Sequence, residues 1–114
     1  MSGITSHVLD TSVGKPGAGI RVVLELSGGE AGTDWTLIGE GVTNEDGRVP
    51  GLAGETIDAG HYRINFHVAD YFAANAVVSF YPVVRIEFVV ANSDQHYHVP
   101  LLLNPFGYST YRGS

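Results

Sequence analysis

Imidazole titrates near neutrality, so histidines are the first place to look for proton chemistry in an uncharacterised sequence. This chain of 114 residues carries five: His7, His61, His67, His96 and His98. His96 and His98 flank Tyr97. On an extended strand that spacing sets both imidazoles on one face, while Tyr97, Val99, Leu101 and Leu103 take the other. The apolar set is the core set, so His98 faces away from the interior, towards solvent or another subunit. Pro100 and Leu102 share its face and are more apolar than bare solvent requires, which favours a subunit interface. Three readings of the pair stand side by side. The imidazoles are bases that take a proton from water at pH 7, they are ordinary half-buried strand residues, or they are two metal ligands with His7 as a third. No carboxylate or cysteine completes a metal set. His61 and His67 fall on outward positions with no chemical task.

Arg48 is the second candidate. It follows Asp46-Gly47 and is expected to begin a new strand. A guanidinium stays charged at any relevant pH and can clamp a planar anion or carbonyl through two parallel N–H donors. A solvated arginine after a turn is the plain alternative. The end of the chain, Tyr108-Ser109-Thr110-Tyr111-Arg112-Gly113-Ser114, is the third. Chain ends usually fray. Alternating Thr and Tyr here instead predict a docked last strand that could place Tyr111, Arg112 and the Ser114 carboxylate in a pocket.

The elements that must position these groups are short strands. Alternation is visible at residues 20–27, with Ile20, Val22, Leu24 and Leu26 on one face. It recurs at residues 62–68 through Tyr62, Ile64, Phe66 and Val68, and at residues 84–90 through Val84, Ile86, Phe88 and Val90. Such period-two patterns mark antiparallel sheets with one buried face. His7 lies in a first strand over residues 4–9, and residues 35–40 form another with Trp35 and Leu37 inward. Fifteen glycines and five prolines punctuate the chain. Gly14-Lys15-Pro16-Gly17, Gly28-Gly29 and Glu45-Asp46-Gly47 are breakers, and Asp46-Gly47 suits a type I′ hairpin turn. Thr43 and Asp46 mimic a capping box, but Gly47 and Pro50 forbid a helix there. One short helix is expected over residues 70–75, with Asp70 as N-cap. Seven or eight such strands make an all-β, two-sheet sandwich in one domain spanning residues 1–114.

Composition narrows the function. Twelve acidic residues against six basic ones leave a formal charge of −6, the wrong sign for nucleic acid. There are no cysteines, hence no disulfides or thiolate chemistry. No apolar run reaches the length that spans a bilayer, and Met1-Ser2-Gly3-Ile4 lacks the basic and apolar regions of a signal peptide. A soluble, cytoplasmic chain is the expectation. Glycine-rich phosphate cradles, serine nucleophile elbows and carboxylate pairs are not evident.

The candidate residues also sit where the chain resembles a known family. Ile4-Thr5-Ser6-His7-Val8-Leu9-Asp10 followed by Gly14-Lys15-Pro16 is similar to the opening signature of transthyretin-like proteins. Asn44-Glu45-Asp46-Gly47-Arg48 resembles their central turn, and His96-Tyr97-His98-Val99-Pro100-Leu101-Leu102-Leu103 their second signature. Tyr111-Arg112-Gly113-Ser114 resembles the C-terminal tetrapeptide of the hydrolase branch, as distinct from the hormone-carrier branch. One departure is Asn104, where many members have serine before the proline.

The resemblance implies a transthyretin-type sandwich of eight strands and one short helix, assembled as a homotetramer with sites where dimers meet. It implies a cofactor-free and metal-free hydrolase of 5-hydroxyisourate in urate breakdown, with His7, Arg48 and His98 catalytic. Tyr111, Arg112, Gly113 and Ser114 would bind substrate. The rival expectation is a non-enzymatic carrier that holds a small hydrophobic ligand in a central channel. A carrier has no need of paired histidines, an arginine and a hydrolase-type terminus.

Overall fold

The computed structural model describes residues 3–28, 34–54 and 56–113. Gly29 of the expected Gly28-Gly29 breaker and Ser114 of the tail lie outside them. The alternating segments form strands β1 (Gly3–Asp10), β2 (Lys15–Pro16), β3 (Arg21–Ser27), β4 (Trp35–Val42), β5 (Gly60–His67), β6 (Val84–Val90), β7 (His96–Asn104) and β8 (Gly107–Thr110). A helix, α1 (Val68–Ala74), follows β5. The strands make two four-stranded sheets, in the orders β2-β1-β7-β8 and β4-β3-β5-β6. Their inner faces supply the core. Val22, Leu24, Ile64, Phe66 and Val84 come from one sheet, and Ile4, Val8, Leu101 and Leu103 from the other, all buried. Each such side chain contributes roughly 1.5–3 kcal/mol of burial.

The eight-strand sandwich with one helix is the expected architecture, and four of its details differ from the sequence reading. First, β1 and β7 pair in parallel, although every other strand pair is antiparallel. Most of the chain separates these two strands, and a long connection permits parallel pairing where a hairpin cannot.

Second, Trp35 and Leu37 do not face inward. They oppose Ser27 and Glu25 on the outer face, and the Trp35 ring packs 4.1 Å from the Arg63 guanidinium. A bulge between Leu24 and Glu25 skips Ile38 and switches the side-chain parity of β4. The inner positions are therefore Gly39 and Gly41, over which Leu52 and Val49 lie.

Third, the helix begins at Val68, not Asp70. Asp70 sits in its first turn, and the N-cap position is His67, which makes no side-chain capping bond. Val68 ends the apolar alternation of β5 and, with Phe72 one turn on, begins the buried face of α1. Both patterns bury the same residue.

Fourth, Asp46-Gly47 is not a type I′ hairpin, which needs positive φ at both central residues. Only Gly47 has it, at 76°. Asn44 organises the turn instead, its Oδ1 accepting from the backbone N–H of Asp46 and Arg48. No helix forms there; buried Thr43 accepts from Ile20 N–H and donates to the Gly17 carbonyl. Among the described residues no helix is long and apolar enough to cross a membrane.

Candidate active site

The parallel β1–β7 register builds the site. It sets Thr5 beside His98 and His7 beside Pro100. Tyr97, Val99, Leu101 and Leu103 are buried, so His98 does point out of the core, as its alternation requires. Two further segments extend the same sheet at this level. Arg48 bridges His7 on the outer edge of β1, and Gly113 bridges His98 on the outer edge of β7. Four backbone segments distant in sequence thus lie side by side, at about 4.8 Å per step.

The loop that carries Arg48 is held closely. Gly47 accepts from Val8 N–H at 2.8 Å, and a Cβ at Gly47 would collide with the Val8 carbonyl. With a positive φ as well, this position requires glycine. Arg48 does not start a strand, contrary to expectation; it makes only the isolated bridge to His7. The tail is docked as expected. β8 pairs with β7, Thr110 Oγ1 donates to the Pro100 carbonyl at 2.6 Å, and Gly113 N–H donates to the His98 carbonyl at 2.8 Å. A Cβ on Gly113 would lie 2.5 Å from His98 Cδ2, so the imidazole and the tail backbone are in direct contact.

A cleft of about 520 Å³ opens over this arrangement. His96, His98, Thr5, Asn44 and Arg48 line it, with Pro50 and Gly51 at its loop side. Arg48 is exposed and, among the described residues, makes no ion pair; the pairs formed are Arg21–Glu40, His61–Glu87 and Arg63–Glu25. Its charge is therefore available to an anion or an oxyanion. Burial, and then the charges of Arg48, His7 and His96, hold the His98 imidazole below its ordinary value. A histidine so placed stays unprotonated at neutral pH and can accept a proton from water. Among the described residues no three His, Cys, Asp or Glu side chains stand close enough to hold a metal ion.

Not every candidate reaches this cleft. His7 is half-buried beside it and does not line it. Tyr111 and Arg112 line a smaller cleft of about 210 Å³, with Phe88, Tyr97 and Val99. There the Arg112 guanidinium sits 4.5 Å over the Tyr97 ring and donates to Gln95 Oε1. Within one chain, Gly113 is the described tail residue that bridges to His98. Asn104 lines neither cleft; its Oδ1 accepts from Phe106 N–H and closes the β7–β8 turn. His61 pairs with Glu87 on the outer face of the other sheet.

Thr5 is the residue that sequence reasoning missed. Its Oγ1 lies 2.8 Å from His98 Nδ1 and 2.8 Å from His96 Nε2. Its place two residues before His7 puts it on the same face, but only the register with β7 reveals its partners.

Known proteins resemble this chain in both sequence and fold. The profile of the HIUase/Transthyretin family matches residues 4–113. The chain is 49% identical over 118 aligned residues to a 5-hydroxyisourate hydrolase of Caulobacter vibrioides, with all of both chains covered. Its fold is similar to that of Klebsiella pneumoniae 5-hydroxyisourate hydrolase, with a TM-score of 0.85 at 33% identity, covering 99% of this chain and 100% of that one. Transthyretin from Sparus aurata gives a TM-score of 0.89 at 28% identity, with 99% and 97% covered. The backbone therefore fits hydrolase and transthyretin alike, and only side chains separate them. On sequence, structure and these likenesses together, the chain belongs to the HIUase/Transthyretin family.

Proposed function

We propose that the chain hydrolyses 5-hydroxyisourate in urate breakdown, opening the six-membered ring to give 2-oxo-4-hydroxy-4-carboxy-5-ureidoimidazoline. The observation that carries this reading is the shared cleft of His98 and Arg48: an imidazole held in its neutral form beside a guanidinium with no ion-pair partner among the described residues. The full-length likeness to the Caulobacter vibrioides 5-hydroxyisourate hydrolase supports the choice of substrate.

The chemistry needs no cofactor. His98 Nε2 takes a proton from water as the oxygen attacks the ring carbonyl. Arg48 orients the substrate and stabilises the oxyanion, usually the largest single contribution in hydrolysis of this kind. The tetrahedral intermediate collapses, the ring C–N bond breaks, and the histidine returns its proton to the departing nitrogen. The new carboxylic acid ionises. His7 stands behind the cleft and tunes His98 electrostatically.

Tyr111 and Arg112 point away from His98 within one chain, so their contact with substrate requires a neighbouring subunit. That requirement fits a cytoplasmic homotetramer with sites at the dimer–dimer interface, where Ser114 would also act.

The test follows the ultraviolet absorbance of freshly generated 5-hydroxyisourate, which also decays spontaneously. Wild type should accelerate the decay well above buffer. His98→Asn and Arg48→Ala should each lose about 100-fold or more, the scale of a lost base or oxyanion donor. A wild-type rate equal to that of buffer would end the enzyme reading and favour a ligand carrier.

A further inference from the structure

One hydroxyl joins two imidazoles beside the cleft. Thr5 Oγ1 lies 2.8 Å from His98 Nδ1 and 2.8 Å from His96 Nε2. The β1–β7 register builds the contact, since Thr5 pairs directly with His98 and Gly3 with His96. A hydroxyl carries one proton, so between two neutral imidazoles it donates to one and accepts from the other. The protons of the trio are therefore coupled.

Only two arrangements satisfy every partner. In the first, His98 Nδ1–H donates to Thr5, Thr5 donates to His96 Nε2, and His98 Nε2 keeps its lone pair. In the second, His96 Nε2–H donates to Thr5, Thr5 donates to His98 Nδ1, and His98 Nε2 carries the proton. Because Thr5 occupies Nδ1, Nε2 is the ring nitrogen left for the cleft. Arg48 lines that cleft and can only donate, so it favours the arrangement with a bare Nε2.

We propose that Thr5 and His96 are positioning residues that hold His98 as its Nδ1–H tautomer, with Nε2 unprotonated and turned to the cleft. The inference rests on His98 as the base of the proposed hydrolysis. On taking a proton from water, His98 keeps its Nδ1–H bond to Thr5, so the trio need not rearrange during the reaction. His96 is the distal acceptor that fixes the direction of the Thr5 hydroxyl. It need not touch substrate to do so.

Nitrogen-15 NMR of the imidazoles at neutral pH reads the tautomer directly, and kinetics on 5-hydroxyisourate read its consequence. The wild-type spectrum should show His98 as Nδ1–H. Thr5→Val and His96→Leu should move it towards Nε2–H and lower kcat about 10–100-fold, within the range general-base catalysis supplies, with little change in KM. Thr5→Ser keeps the hydroxyl and should restore both readouts. His96 is exposed, so His96→Leu tests the inference even if Thr5→Val fails to fold. His98 found as Nε2–H in wild type, or an unchanged tautomer in the His96→Leu variant, overturns the proposal. An Nδ1–H lock in a protein without hydrolase activity would support the lock and refute the function; an active enzyme without the lock would refute the lock alone.

Discussion

At the residue scale, His98 combines three constraints. Its ring borders the cleft, its Nδ1 meets Thr5, and its Cδ2 lies against the tail at Gly113. Burial is the largest cause of its lowered proton affinity, followed by Arg48, His7 and His96. The sign follows from linkage. Because the folded-state value lies below the ordinary 6.5, the unfolded chain takes up this proton first as pH falls. This group therefore leaves stability unaffected above 6.5 and reduces it progressively as pH drops through the window beneath. An NMR titration of the His98 ring should show a midpoint below 6.5 in wild type. In Arg48→Gln the midpoint should rise but remain below 6.5, because burial persists when the charge is removed. A wild-type midpoint at or above that value would contradict the electrostatic account of the site.

At the element scale, β1 is the strand on which the site depends. It pairs with β7 along its length, takes β2 and the Arg48 bridge on its other edge, and ends at buried Asp10. Asp10 ties this end to the helix. Tyr71 donates to its Oδ2 at 2.6 Å, while Ser12 N–H donates to Oδ1 at 3.0 Å. Burial, with the hydrogen bond to Asp10 next, pushes the Tyr71 hydroxyl up to about 12. Tyr71→Phe removes this donor and leaves a buried carboxylate oxygen short of a partner. The expected loss is roughly 1–3 kcal/mol in urea unfolding, the usual cost of an orphaned buried acceptor. An unchanged midpoint would show that α1 is not anchored to β1 in this way.

At the scale of the whole molecule, one chain presents the histidine cleft and the Tyr111–Arg112 cleft as separate places. If substrate is to meet both, subunits must bring them together. Sedimentation velocity should therefore give a species near four times the 12.2 kDa chain, and dilution below the assembly range should lower activity per subunit. A fully active monomer would remove Tyr111 and Arg112 from the site. Fold likeness does not decide between catalysis and carriage here, since the hydrolase and transthyretin backbones both superpose on this one.

The amino-acid order alone determined the inward faces of β3, β5, β6 and β7, though not that of β4. Strand alternation is a local property, and burying one face of each sheet is the dominant stabilising force, so the β architecture and the outward placement of His98 were readable from spacing. The resemblance carried by four short motifs drew His7, Arg48, His98 and the tail together. Register, by contrast, is a relation between distant segments. Only the tertiary structure paired Thr5 with two imidazoles, set Arg48 on the edge of β1, and inserted the bulge that turned Trp35 and Leu37 outward. It also sent Tyr111 and Arg112, which lie just past the end of β8, to a second cleft beside Tyr97 and Val99, on the face of β7 opposite His98.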